Sequence, residues 1–137
     1  MQVLEDKTAI QYSEVAALME SMGWGSDFYG SEANFKYMLE KTSYLAYIRQ
    51  DNLLIGYGRI LEDGVHCMFY DICVHPAYQN QGLGRKLMEH LIAKLKKNYY
   101  VTIGLFCEPN NATIQDFYTK LGFENVDAMD LSKLCRQ

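Results

Sequence analysis

Paired cysteines, long apolar runs and an excess of positive charge are missing from this sequence and proline is scarce, and each of these removes a class of protein. Cys67, Cys73, Cys107 and Cys135 form no C-x-x-C pair, and three of the four lie in apolar, strand-like runs, so buried free thiols are expected in place of disulfides or a metal site. Only two prolines in 137 residues, with 49% hydrophobic and 22% charged residues, exclude a disordered or low-complexity chain. No apolar run approaches the roughly 18 residues of a transmembrane helix. Met1 to Asp6 lacks the basic and apolar regions of a signal peptide, and the expectation is a soluble, cytoplasmic protein. A net charge of -4 and a pI near 5.3 argue against non-specific nucleic-acid binding, which needs a basic face.

What is present is one domain's worth of chain, 1–137, with uneven charge. Arg85 to Lys97 holds five bases (Arg85, Lys86, Lys94, Lys96, Lys97) against Glu89, a local +4, which leaves -8 for the rest. A small basic segment in an acidic chain fits a compact anionic ligand, and the acidic remainder fits a cationic acceptor. The elements read as an α+β fold. Gln2 to Glu5 is a short strand candidate, and Thr8 caps a helix to about Met22 with Ile10, Val15, Leu18 and Met19 on its apolar face. Ser31 caps a second short helix. Three strands follow as an antiparallel meander, Tyr44–Ile48, Leu53–Leu61 and Val65–Val74, with turns at Asp51-Asn52 and Asp63-Gly64. His75-Pro76 stops the last of them. A helix runs to about Asn98 on Leu83, Leu87, Leu91 and Leu95, then a strand over Tyr100–Cys107, a helix over Asn111–Leu121 and an extended segment over Phe123–Leu131.

The segment Gln79-Asn80-Gln81-Gly82-Leu83-Gly84-Arg85-Lys86 lies between the proline-terminated strand and the amphipathic helix. Two glycines at a first helical turn remove Cβ atoms that would hold a ligand off the backbone, and the N–H groups there sit at the positive end of the helix dipole. That suits a phosphate or pyrophosphate. A G-x-x-x-x-G-K-[ST] loop is absent, and G-x-G-x-x-G would need glycine where Leu87 stands.

Gln79-x-x-Gly82-x-Gly84, preceded by Asp71-Ile72-Cys73-Val74-His75-Pro76 and followed by Leu87 and Leu91, resembles the acetyl-CoA signature of the GNAT superfamily of N-acyltransferases. Asn111 and Phe117-Tyr118-Thr119-Lys120-Leu121-Gly122-Phe123 are similar to that family's later F-Y-x-K-x-G-F element, and Gly56-Tyr57-Gly58-Arg59 with Asp63-Gly64 looks like a small bacterial branch acting on amines. The resemblance implies a mixed, largely antiparallel sheet splayed between the fourth and fifth strands, with about four helices. It implies acetyl-CoA as cosubstrate, no metal, and acetyl transfer to a primary amine of a small molecule in a ternary complex. A protein amine or a non-catalytic CoA-binding module is the alternative, and a homodimer is left open. Splaying after Val74 would leave backbone groups of Ile72 and Val74 unpaired, to take the pantetheine amides as an added strand, with Cys73 between them also at the cofactor. Gln79, Asn80, Gln81, Gly82, Leu83, Gly84 and Arg85 would hold the pyrophosphate, with Asn111 and Tyr118 also on the cofactor. Lys94, Lys96 and Lys97 are read as a solvated helical end.

For proton handling, Tyr118 occupies the tyrosine of the later element and is the expected acid for the leaving thiolate. The base has two readings. Asp71 is a carboxylate in an apolar strand, either at work or paired with Arg59 on the neighbouring strand. Strand alternation sets it opposite Tyr70, Ile72 and Val74, which makes Tyr70, or a water on it, the other candidate. Met68 and Phe106 stand where the resemblance would often place glutamate, so direct carboxylate catalysis from those positions is excluded. Neither His66 with Cys67 nor His75 with Cys73 makes a convincing dyad. Trp24, Phe28 and Tyr29, with Asp27 and Glu32, are expected to line an acceptor pocket for a cationic amine, with core packing as the alternative for the rings.

Overall fold

A computed structural model describes residues 1–95 and 99–126. The chain divides into two compact units, Met1–Leu105 and Phe106–Gln137. The first unit contains α1 (Tyr12–Ser21), α2 (Glu32–Lys41), β1 (Tyr44–Gln50), β2 (Leu53–Glu62), β3 (His66–Val74), a 3-10 turn (Pro76–Tyr78), α3 (Leu83–Ala93) and β4 (Thr102–Gly104), and the second contains α4 (Ala112–Lys120). The sheet order is β1-β2-β3-β4, antiparallel except for the β3–β4 pair. Among the described residues, four α-helices and a mixed sheet make an α+β fold, as expected from the sequence.

The meander forms for the reasons its turns suggest. Asp51 and Asn52 both take positive φ, 51° and 67°, the twist that a two-residue hairpin needs, and Gln50 pairs with Leu53 across it. α2 starts where Ser31 accepts the Asn34 N–H. α1 differs from expectation: the Thr8 N–H and hydroxyl are both spent on Asp6 Oδ1, at 2.9 and 2.7 Å, so Thr8 turns the chain and the helix starts after Gln11, whose N–H Glu14 accepts. The expected first strand shrinks to one bridge, Leu4 with Tyr47.

One face of the sheet, carrying Leu45, Tyr47, Tyr57 and Cys73, joins Val15, Leu18 and Met19 of α1 and Phe35 and Leu39 of α2 in a buried cluster. α3 covers the other face with Leu87 and Leu91, both fully buried, each worth about 2 kcal/mol relative to exposure. Gly56 and Gly58 let it come close: a Cβ at Gly56 would stand 3.1 Å from Leu87 Cδ1, and one at Gly58 3.4 Å from Leu91 Cδ1 and 2.5 Å from Ile72 Cδ1 of β3. The structure ends α3 at Ala93, shorter than the apolar spacing suggests, and Lys94, expected to be merely solvated, pairs with Glu5 along with His90. Lys96, Lys97 and Asn98 lie outside the described residues, as do Cys135 and the expected strand from 127 onward; Phe123–Val126 forms no strand. The strand expected over Tyr100–Cys107 contracts to Thr102–Gly104.

In the second unit, Asn111 Oδ1 caps α4 by accepting the Ile114 N–H at 3.1 Å, and Gly122 closes it at φ 104°.

Candidate active site

β4 pairs with β3 only at His66, Cys67 and Met68. The two strands therefore part from Phe69 onward, earlier than the sequence suggested. On the other side of β3, the His75 N–H donates to the Ile55 carbonyl at 2.7 Å. Alternation along an antiparallel ladder then turns the backbone groups of Val74, and of Ile72 two residues back, to the edge that β4 leaves open. Gln79 reaches that edge: its Nε2 donates to the Val74 carbonyl at 2.9 Å. The Val74 carbonyl, expected to be unpaired, thus has one lone pair in use and its N–H still directed outward.

A bulge interrupts β3 beside this edge. Tyr57 opposes Cys73 but Arg59 opposes Tyr70, so β3 carries one extra residue, and Asp71 takes φ 58° to absorb it. The extra residue overturns the face assignment made by alternation. Tyr70 and Cys73 stand across from Arg59 and Tyr57 on one face, and Asp71 joins them there, while Ile72 contacts the α3 side at Gly58. Asp71 and Tyr70 therefore share a face.

On that face, Asp71 Oδ2 accepts from Arg59 Nε at 2.9 Å and from the Tyr29 hydroxyl at 2.6 Å. The Tyr29 proton is committed to Asp71, so in the 2.9 Å contact between the two phenols Tyr57 donates to Tyr29. Burial raises the pKa of Tyr29 far above that of an ordinary phenol, reinforced by Tyr57 and Asp71, and burial raises Tyr57 likewise, so both stay neutral donors. Burial alone would lower the Arg59 guanidinium, but Asp71 outweighs it and raises it. The same guanidinium lies 5.0 Å over the Tyr70 ring. Tyr29, expected as a pocket wall, is 8% exposed and belongs to the core. Trp24 and Phe28 of the same loop remain exposed, their rings 5.5 Å apart, and Glu32 pairs with Lys36.

Beyond the open edge, His75 caps the 3-10 turn by accepting the Ala77 N–H, and Asn80 and Gly82 take φ 64° and 80° to bring the chain into α3. Nothing lies within 4 Å of where a Gly82 Cβ would be. Gln79, Asn80, Gln81, Gly82 and Arg85 are exposed, Gly84 is half-buried and Leu83 is buried beneath them. Arg85 is held by Glu89 at 2.6 Å, and Lys86 reaches the Met1 carbonyl.

The acetyltransferase (GNAT) family model matches residues 12–123, which spans both units. This chain belongs to that family. It is 32% identical over 125 residues to the uncharacterized N-acetyltransferase ycf52 of Porphyra purpurea, covering 88% of this chain and 68% of that one. It is 46% identical over 54 residues to the [ribosomal protein bS18]-alanine N-acetyltransferase of Escherichia coli, covering 39% and 36%. The fold matches the PaiA N-acetyltransferase of Thermoplasma acidophilum, solved in complex with coenzyme A, with a TM-score of 0.76, 16% identity and 94% of each chain covered. As a member of the GNAT family the protein is an acetyltransferase.

In this acetyltransferase, Tyr118 lies half-buried on α4, its ring edge-on to Phe117 and Phe123 at 5.1 and 5.8 Å. Asn111, expected at the cofactor, has its side-chain oxygen in the α4 cap. The buried thiols are poor nucleophiles: burial pushes Cys67 up to about 11 and Cys73 higher still. His66 Nδ1 is bound to Thr102 Oγ1 at 2.7 Å, apart from any cysteine pairing. Among the described residues no group of three or more His, Cys, Asp or Glu could hold a metal ion, and no helix is long and apolar enough to cross a membrane. The Tyr29–Tyr57 link had no signal in the sequence, because its partners lie on separate elements.

Proposed function

We propose that this acetyltransferase transfers the acetyl group of acetyl-CoA directly to a primary amine of a small, cationic molecule. The observation that carries the reading is the edge of β3 at Ile72 and Val74, uncovered by β4 and leading into a helix N-terminus through Gly82. In this reading the pantetheine amides add to that edge as a short strand, and the pyrophosphate rests on N–H groups of Gln81 to Arg85. Gln79, tied to Val74, fixes the loop between the two. Ile72 and Val74 contribute backbone, with Cys73 between them and Asn80, Leu83 and Gly84 shaping the turn that follows.

The amine must attack as the neutral base. With a free alkyl amine near pKa 10.4, its proton leaves to water or to a water on Tyr70, whose ring faces the Arg59 charge. The amine nitrogen bonds to the acetyl carbon, the carbon–sulfur bond breaks, and Tyr118 protonates the departing thiolate. Trp24, Phe28 and Asp27 supply ring faces and a carboxylate for a cationic acceptor. Free thiols in the chain fit action in the cytoplasm.

A second reading has one observation of its own: the 46% identical stretch shared with an enzyme named for the alanine of ribosomal protein bS18 favours a protein α-amine. Thiol release from acetyl-CoA, followed with a panel of small amines beside a peptide beginning with alanine, separates the two. Turnover that depends on a small cationic amine supports the proposal. Turnover on the peptide alone moves the acceptor to protein, and release independent of any amine overturns the transfer itself.

A further inference from the structure

We propose that Tyr29 is a positioning residue, which couples the exposed loop between α1 and α2 to the β3 edge through its hydrogen bond to Asp71. The proposal rests on the reading above, in which acetyl-CoA occupies that edge.

Asp71 sits in the middle of the edge at φ 58°, a conformation that is unfavourable for a non-glycine residue and persists only where neighbours enforce it. Two donors enforce it here, Arg59 from β2 and Tyr29 from the loop. The loop is itself a stiff piece. Phe28 and Gly30 N–H groups close turns onto Gly25 and Asp27, Ser26 N–H binds Glu20, and Asn34 Nδ2 holds the Tyr29 carbonyl at 2.8 Å. Tyr29 packs edge-on to Phe28 at 5.0 Å, and Phe28 packs on Trp24. A continuous train of contacts therefore runs from the indole of Trp24 to the bulge. A ligand strand added at Ile72 and Val74 has to settle on the backbone that Asp71 bends, and any adjustment there is passed to the loop through a short bond between buried groups. The loop that carries Trp24 and Phe28 is then set by the cosubstrate.

Trp24 is the sole tryptophan of the chain, so its fluorescence reads this loop alone. Acetyl-CoA is titrated into the full chain by calorimetry and, in parallel, by Trp24 emission. In the unmodified protein, binding is expected to change the emission. Tyr29→Phe is expected to bind acetyl-CoA about threefold to tenfold more weakly, part of the worth of one hydrogen bond to a charged group, with the emission change lost and kcat largely kept. Asp71→Asn, whose side chain also tolerates positive φ, behaves the same way with an unaltered pH–rate profile, and the double variant is no worse than either single one. Tyr57→Phe, which removes only the outer hydroxyl of the chain, keeps the emission change, and its melting curve guards against misfolding as the cause. Binding without an emission change in the unmodified protein, or an emission change that survives Tyr29→Phe, overturns the coupling alone. Loss of the acid limb of the pH–rate profile in Asp71→Asn with a normal Tyr29→Phe also overturns it, by making Asp71 the proton acceptor. Absence of binding heat in the unmodified protein overturns the proposed function as well.

Discussion

The Tyr29 hydroxyl donates to Asp71 Oδ2 at 2.6 Å across 42 positions of sequence, and it does so beside the one bulge that bends β3. Two isolated features, an aromatic in a glycine-rich loop and a carboxylate in an apolar strand, are thus halves of a single arrangement. Arg59 completes it, balancing the buried charge, so that the carboxylate is compensated rather than stranded.

The role assigned to Tyr118 makes the first prediction. Tyr118→Phe removes the proton donor and little volume, and kcat should fall about 10²-fold, the low end for general acids because a thiolate leaves readily. Acetyl-CoA affinity should stay nearly unchanged. Thiol release gives the rate, and calorimetry gives the affinity.

Gly82 tests the turn into α3. Its φ of 80° strains any residue with a Cβ, so Gly82→Ala should lower stability by about 1–2 kcal/mol, although the methyl meets nothing in the protein. The same substitution should weaken acetyl-CoA binding, since the methyl projects into the space assigned to the ligand. Urea melts with and without acetyl-CoA separate the two effects.

Acid stability should depend on Glu14. Burial opposes its charge, but hydrogen bonds from Arg49 and the Gln11 N–H hold its pKa below the ordinary glutamate value. A lowered folded pKa stabilises above the unfolded value and loses that stabilisation as pH falls through the folded one. The protein should therefore lose about 1 kcal/mol from this pair as pH falls below about 4.5, and Arg49→Ala should flatten that limb. Denaturant midpoints measured between pH 7 and pH 3 check it.

Thiol chemistry should follow burial. Cys67 and Cys73, both buried with raised pKa values, should resist alkylation at pH 8 in the folded protein, and half-buried Cys107 should react before either. Peptide mapping after iodoacetamide treatment reads the order directly.

Much of the fold was legible because its signals are local. Asp51-Asn52 announces a hairpin within two residues, Ser31 caps the helix it precedes, and the apolar residues from Leu83 to Leu91 mark one helical face. The glycine turn was legible in the same way. The pairing of Asp71 with Arg59 was legible as one of two readings, but the face it occupies was not, because a bulge inserts one residue without a composition of its own, and an alternation argument presumes an unbroken ladder. Tyr29 was misplaced because an aromatic beside glycine looks the same in a pocket wall and in a core, and the deciding hydroxyl partners arrive from β2 and β3. Thr8 had a competitor two residues away in Asp6, which took both of its donors. Asn111 shows the converse: a residue expected at the cofactor has an immediate structural task as a helix cap.

Amide hydrogen exchange with and without acetyl-CoA reports both whether the cosubstrate binds and which backbone groups it covers. Slowed exchange is expected in β3 around Ile72 and Val74 and across Gln81 to Arg85, with the remainder of the sheet unchanged. Protection confined to other segments, or none at saturating acetyl-CoA, would contradict it.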